Sequence, residues 1–77
     1  MNKARRKRLE EAMETLQTLI EEIDAIREEE QDAYDNMPES LQESERGERM
    51  YTIASTLEDV GYSLESAKDD LEETLEV

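Results

Sequence analysis

Apolar residues in the first half of the chain recur at alternating steps of three and four. The series consists of Leu9, Met13, Leu16, Ile20 and Ile23, and Arg27 and Tyr34 continue it. This spacing is the a/d pattern of a helix that packs lengthwise against another helix. Because no Gly or Pro precedes Pro38, the pattern predicts one helix from about residue 3 to about residue 35.

Heptad spacing resumes in the second half and predicts a second helix from about residue 44 to about residue 75. One row of this helix is Met50, Leu57, Leu64 and Leu71, and the other is Ile53, Val60 and Ala67. Gly61 lies inside it, where Gly costs about 1 kcal/mol relative to Ala. An interior glycine of this kind indicates close approach of another backbone.

The connector between the helices covers about residues 36–44. Pro38 disfavours a helical conformation for the residue before it. Asn36 and Glu39 have the spacing of a capping box, so we expect one or two helical turns within the connector. Leu41, its only aliphatic residue, is expected to tuck under the end of the helices.

Two long helices with a short connector predict an all-α fold, an antiparallel, coiled-coil-like hairpin that forms a single domain over residues 1–77. If facing residue numbers add up to about 84, the large apolar residues of both helices meet. Arg27 then opposes Leu57, either as a polar layer or with its stem on the core and its head towards nearby acids.

An apolar stripe beside the seam of this hairpin remains uncovered: Leu19, Ile26, Ala54 and Gly61. A stripe this wide is typical of helices in bundles. We therefore expect a homodimer that forms an antiparallel four-helix bundle, with a groove for a different protein as the alternative.

Charge is divided unequally along the 77 residues, whose net charge is -14. Residues 1–8 hold five basic and no acidic residues, and residues 9–77 hold four basic and all 23 acidic residues. This basic head consists of Lys3, Arg5, Arg6, Lys7 and Arg8. The antiparallel register predicts that it forms ion pairs with the acidic end of the second helix, and the alternative is a nuclear or nucleic-acid-binding signal. Duplex DNA binding is not expected of so acidic a chain.

The residue types exclude most catalytic chemistry. The chain has no His and no Cys, which removes the commonest general base, the commonest metal ligand and the thiolate nucleophile. The carboxylates lie at helix-surface spacings that offer no two distinct environments. We therefore expect a protein that is not an enzyme and needs no metal or cofactor. The absence of a long apolar run predicts that it does not enter a membrane.

Acidic side chains and two tyrosines are the remaining candidates for function. The acidic face consists of Glu14, Glu21, Glu22, Glu28 and Glu29. Within it, Glu14, Glu21 and Glu28 form a column with steps of about 10.5 Å. It either solubilises the helix or imitates nucleic-acid phosphates in a basic groove of a target protein. Tyr51 and Tyr62 are candidate interface anchors or ordinary exposed tyrosines.

Residues 35–50, DNMPESLQESERGERM, together with the flanking Leu-Glu heptads, resemble small, uncharacterised acidic helical-hairpin proteins of phages and prophages of Gram-positive bacteria. The resemblance implies a phage protein in the host cytoplasm that inhibits a host defence or nucleic-acid-handling protein, as anti-CRISPR proteins do. Alternatives are a structural homodimer without another partner and, less favoured, a protein that sequesters an anionic ligand with its basic N-terminus.

Overall fold

Two long helices make up almost the whole molecule. The computed structural model describes all 77 residues. Helix α1 spans Lys3–Asp35, the short helix α2 spans Glu39–Gln42, and helix α3 spans Glu45–Glu76. Helices α1 and α3 lie against each other in opposite directions and form a rod of 58 × 15 × 14 Å. The all-helical fold class is confirmed, and neither long helix has an apolar stretch of the length needed to cross a membrane.

Polar side chains fix where both long helices begin. The Asn2 side chain accepts a hydrogen bond from the backbone N–H of Arg5 at 2.8 Å, and the Ser44 hydroxyl accepts one from Gly47 at 3.2 Å. Each bond satisfies one of the backbone donors that a helix leaves free at its N-terminus.

The expected capping box at Asn36 is wrong. The backbone N–H of Asn36 still donates to the carbonyl of Asp32 at 3.0 Å, so Asn36 ends α1 and does not cap the helix that follows. Pro38 precedes α2 without a side-chain cap. The φ of -57° at Pro38 suits the start of a helix, and its carbonyl accepts hydrogen bonds from the backbone N–H groups of Leu41 and Gln42.

The register of the hairpin follows from contacts at both of its ends. The rings of Tyr34 and Tyr51 pack with centroids 5.7 Å apart near the connector. Arg6 donates hydrogen bonds to main-chain oxygens of Leu75 and Val77 at the opposite, open end. Both contacts agree with facing residue numbers that add up to about 84.

The second apolar row of α3 differs from the prediction. The positions enclosed against α1 are those of Gly47, Met50, Ala54, Leu57, Gly61, Leu64, Lys68, Leu71 and Leu75. Ile53 and Val60 are instead 47% and 38% exposed. The stripe on α3 is wider than one helix contact can cover, so a small rotation of the helix decides which row is enclosed.

The core of the hairpin is thin. Only Ile20, Gly47 and Ala54 are buried, and no side chain is completely enclosed. Leu41 is 50% exposed, which contradicts the expectation that it tucks under the helix ends. The carbonyl of Leu41 instead lies close to Gly47 in the first turn of α3, and the side chain stays accessible. Domains of this size have little core to stabilise them, so the hairpin alone is marginal.

The two glycines of α3 have opposite surroundings. A Cβ atom on Gly47 would overlap the carbonyl oxygens of Leu41 and Gln42, because the first turn of α3 packs directly on the connector. A Cβ atom on Gly61 would meet nothing within 4 Å. The close backbone approach that the sequence predicted for Gly61 is therefore wrong, and Gly47 is the glycine that has one.

Candidate functional site

The two flanks of the hairpin seam differ in chemistry. Ile20 of α1 and Ala54 of α3 lie at the seam of the hairpin. In two antiparallel helices, the residues that directly precede such seam positions project to the same side of the helix pair. This side carries Leu19 and Ile26 from α1 with Ile53 and Val60 from α3, and we call these four residues the apolar flank. The opposite side holds a groove lined mainly by charged and polar residues, which we call the polar groove.

All four residues of the apolar flank are accessible to solvent. Leu19 is 45% exposed and Ile26 is 38% exposed, as fully as Ile53 and Val60 of α3. The same helical positions continue towards both ends of the molecule with Ala12, Ala33 and Ala67, which are also exposed. The flank is thus an apolar strip along the middle of the rod, which the half-buried Glu30 interrupts one turn after Ile26. Such strips mark interaction surfaces more often than scattered exposed residues do.

The predicted partner seam is only partly on this surface. Leu19 and Ile26 belong to the apolar flank, as the sequence suggested. Ala54 is only 3% exposed because it packs inside the hairpin, and Gly61 lies at the floor of the polar groove. Ile53 and Val60 take their place on the flank. Sequence reasoning missed them because it assigned them to the seam of the hairpin.

The polar groove runs along the middle of the hairpin and has a volume of about 560 Å³. Helix α1 contributes Gln17, Glu21, Asp24 and Arg27, and helix α3 contributes Glu58, Tyr62 and Glu65, above an apolar floor of Ile20, Ile23, Leu57 and Gly61. Four carboxylates therefore face one guanidinium. The missing side chain of Gly61 deepens the groove, since nothing from the chain itself fills that space.

The one cation of the groove is already paired. Arg27 Nε donates to Asp24 Oδ1 at 3.1 Å, and this hydrogen bond, with the nearby charges of Asp24, Glu28 and Glu58, raises the pKa of Arg27 above its ordinary value. The guanidinium therefore stays charged. Its contact with Asp24 supports the prediction that its head reaches a neighbouring acid. Glu21, Glu58 and Glu65 are left without a basic partner within ion-pair distance.

Two further polar groups shape the groove. The Tyr62 hydroxyl donates a hydrogen bond to Glu58 Oε1 at 3.1 Å, which raises the pKa of Tyr62 above its ordinary value of 10.0. Gln17 Nε2 donates to Glu21 Oε1 at 3.3 Å, but Gln17 Oε1 is enclosed and accepts no hydrogen bond. An enclosed acceptor without a donor is unfavourable, so Gln17 lowers the stability of this part of the hairpin.

The five residues of the predicted acidic face lie on different parts of α1. All are exposed, but only Glu21 lines the polar groove. Glu14 and Glu28, seven residues to either side, extend its row, while Glu22 and Glu29 project from the outer side of α1 towards the apolar flank. The sequence analysis missed Glu58 and Glu65, which face Glu21 across the groove. The hairpin register contains that signal, since it brings these residues to the same level.

The three tyrosines have different surroundings. Tyr34 is half-buried, and its ring packs on that of Tyr51, which is nevertheless 58% exposed. Tyr62 is 67% exposed at the edge of the polar groove. Tyr62 thus has the accessibility that an interface anchor requires, and Tyr51 combines accessibility with a contact that supports the connector end of the hairpin.

The basic head does not form the expected ion pairs. The ion pairs of the molecule are Arg27–Asp24 and Lys68–Glu72, the latter at 4.0 Å, and neither involves residues 3–8. Arg6 instead donates to main-chain oxygens at the C-terminal end of α3. These oxygens lack helical N–H partners and carry the negative end of the helix dipole, which makes them good acceptors for a guanidinium. Lys3, Arg5, Lys7 and Arg8 remain exposed.

No group of three or more acidic residues is arranged closely enough to hold a metal ion, despite the 23 carboxylates. Comparisons of the chain with models of protein families, with curated proteins and with solved structures found no match. The interpretation of function therefore depends on the two flanks of the hairpin.

Proposed function

We propose that this protein is a non-enzymatic protein-binding module whose polar groove binds a basic site on another protein. The observation that carries the proposal is the charge of this groove. Glu21, Glu58 and Glu65 come from two different helices, face the same space and have no basic partner of their own. A Lys or Arg side chain of a partner would place its stem on the apolar floor and its head among these carboxylates.

The partner we propose is a host defence or nucleic-acid-handling protein, which this phage-type, anti-CRISPR-like protein inhibits in the host cytoplasm. Basic grooves of such proteins bind rows of phosphates, and rows of carboxylates can occupy them instead. The net charge of -14 steers the molecule towards a basic surface and away from nucleic acid itself. Binding of this kind weakens as salt rises, because salt screens exposed charges.

The test is capture of host proteins by an immobilised, charge-reversed variant and a matched control. The groove variant carries Glu21→Lys, Glu58→Lys and Glu65→Lys. The control carries Glu11→Lys, Asp32→Lys and Glu73→Lys, which lie outside the groove and change the net charge equally. We expect the wild type and the control to retain the same basic protein at low salt, and the groove variant to lose it. Equal retention by both variants, or capture of nothing but the chain itself, contradicts the proposal.

A structural homodimer is the second candidate function, and we propose dimerisation in either case. The observation that favours it is the thin core of the hairpin beside the exposed side chains of the apolar flank. Covering that flank with a second copy would complete a four-helix bundle. Light scattering should then give twice the 9.0 kDa mass of one chain. As a purely structural protein, the dimer would bind no other protein at any salt concentration.

A further inference from the structure

We infer that the polar groove binds guanidinium groups and that Arg27 is its internal competitor, so that removal of the Arg27 charge strengthens the binding of an arginine from outside. The inference rests on the proposed function, because it concerns the same groove. It adds the chemical group that the groove holds and the residue that limits the affinity.

The chain itself shows how this groove holds a guanidinium. Arg27 occupies a seam position of α1, and its side chain is only 26% exposed although it is charged. The register places it opposite Leu57, which lies in the floor of the groove. Its Nε donates to Asp24 Oδ1 at 3.1 Å. An apolar floor for the stem and a carboxylate for the head are the two features that an arginine of a partner would need.

Arg27 neutralises only one end of the groove. Its guanidinium is paired with Asp24, and the charge of Glu58 also acts on it. Glu21 lies six residues before Arg27, which is about 9 Å along α1. Glu65 lies seven residues after Glu58 and, because the helices are antiparallel, at the same end of the groove as Glu21. Neither Glu21 nor Glu65 has a basic partner within ion-pair distance, so this end is open.

Room for a second side chain lies between the two ends. Gly61 is located on α3 between Glu58 and Glu65, and a Cβ atom there would meet nothing within 4 Å. The stem of an incoming arginine can therefore lie over Gly61 without displacing a side chain. Its head is then close to the charge of Arg27. At a separation of about 8 Å and a dielectric constant of about 40–80, the repulsion weakens binding about two- to sixfold.

A purely structural role of Arg27 leads to a different expectation. If its stem only fills the seam, loss of its charge acts on binding only through the net charge of the whole molecule. Any distant arginine has that effect too. Arg49 is exposed, lies outside the groove and is about 18 Å along α3 from Gly61. Arg49→Gln is therefore the matched control for Arg27→Gln.

An NMR titration of isotope-labelled protein with the peptide acetyl-Gly-Arg-Gly-amide, which carries one guanidinium, tests the inference at constant ionic strength. The chain has only two glycines, so their amide signals are readily assigned. The amide of Gly61 reports on the floor of the groove, and that of Gly47, packed on the connector, is the internal reference. We expect the Gly61 signal of the wild type to shift saturably while the Gly47 signal stays in place.

The variants then separate the charge of Arg27 from its stem. Arg27→Gln should bind the peptide about two- to sixfold more tightly than the wild type, and Arg49→Gln less than about 1.5-fold more tightly. Arg27→Lys keeps the charge and should bind like the wild type. Arg27→Met repeats the measurement with an apolar stem in case Arg27→Gln destabilises the hairpin. Equal effects of Arg27→Gln and Arg49→Gln, or weaker binding by Arg27→Gln and Arg27→Met, would overturn the inference.

The results also distinguish this inference from the proposed function. A wild-type Gly61 signal that does not move would show that the groove holds no guanidinium, and the inference and the proposed binding site would fail together. A wild type that binds the peptide as tightly as Arg27→Gln does would overturn only the inference. Failure of host-protein capture, with the expected shifts of Gly61, would refute the proposed partner and leave the inference intact.

Discussion

The same substitution at the two glycines of α3 should have opposite effects on stability. Gly61→Ala adds a Cβ atom where nothing lies within 4 Å, so it gains helix propensity at no steric cost. The expected gain is about 1 kcal/mol in the free energy of unfolding. Gly47→Ala adds the same atom against the backbone carbonyls of Leu41 and Gln42, which cannot rotate away.

The magnitude for Gly47→Ala follows from overpacking. Forcing one extra carbon into a closely packed site costs about 1–3 kcal/mol, and the cost lies towards the upper end when the obstructing atoms belong to the backbone. Gly47 lies in the first turn of α3, where little propensity is gained in return. The two variants should therefore differ by about 2–4 kcal/mol, a separation equal to a large part of the stability of a small domain.

Urea unfolding followed by circular dichroism at one fixed protein concentration measures both variants. A fixed concentration is needed because dimerisation makes the apparent stability depend on it. The expected order is Gly61→Ala above wild type above Gly47→Ala. If Gly47→Ala is as stable as wild type, the first turn of α3 does not pack on the connector as described. If Gly61→Ala is destabilised, another group fills the space at the floor of the polar groove.

Further variants and conditions test single contacts. Ser44→Ala removes the cap of α3 and should lower the free energy of unfolding by about 1 kcal/mol. The control Ser55→Ala, on the exposed surface of the same helix, should change it little. Equal effects of the two variants in urea unfolding would exclude the cap. Glu58→Gln should lower the raised pKa of Tyr62, measured as the difference in 295 nm absorbance titration from Tyr62→Phe. Because that pKa is raised in the folded state, the stabilising hydrogen bond is complete below pH 10.0 and is lost as pH rises through the higher folded value; an unchanged titration would refute the bond. Raising salt from about 20 mM to about 500 mM should raise the melting temperature, because it screens repulsion among the carboxylates; a lower melting temperature would show that ion pairs dominate.

The hairpin itself could be predicted from the sequence because its pattern is strongly periodic. The steps of three and four from Leu9 to Arg27, with Tyr34 one heptad further and Pro38 after it, leave few alternatives for the length of α1. The register followed from matching large apolar residues across the seam, and the packing of Tyr34 on Tyr51 agrees with it.

The rotation of α3 could not be predicted in the same way. Ile53 and Val60 on one side of the central leucine row, and Ala54 and Gly61 on the other, are all compatible with an apolar seam. Hydrophobicity favours the larger pair, yet the structure encloses Ala54 and exposes Ile53 and Val60. The pattern of one chain does not say which row packs within the hairpin and which is left for another contact, because a wide stripe serves both.

The polar groove could not be predicted from the sequence for a different reason. The predicted acidic column on α1 treated Glu14, Glu21 and Glu28 as equivalent, because spacing on a single helix cannot distinguish them. Glu21 differs from the other two because it faces Glu58 and Glu65 across the groove. This arrangement depends on which side of α3 faces outward. The contact at the open end of the hairpin could not be predicted either. Arg6 donates to a main-chain oxygen there, and the pattern of charged side chains contains no information on main-chain acceptors.

Sedimentation equilibrium of three proteins tests most directly the division of the hairpin into a self-binding flank and a partner-binding groove. These are the wild type, Val60→Glu on the apolar flank and Tyr62→Glu at the edge of the groove, which adds the same charge two residues away on the opposite side. We expect twice the 9.0 kDa chain mass for the wild type and for Tyr62→Glu, and the single-chain mass for Val60→Glu. A dimer that survives Val60→Glu and dissociates with Tyr62→Glu would contradict it.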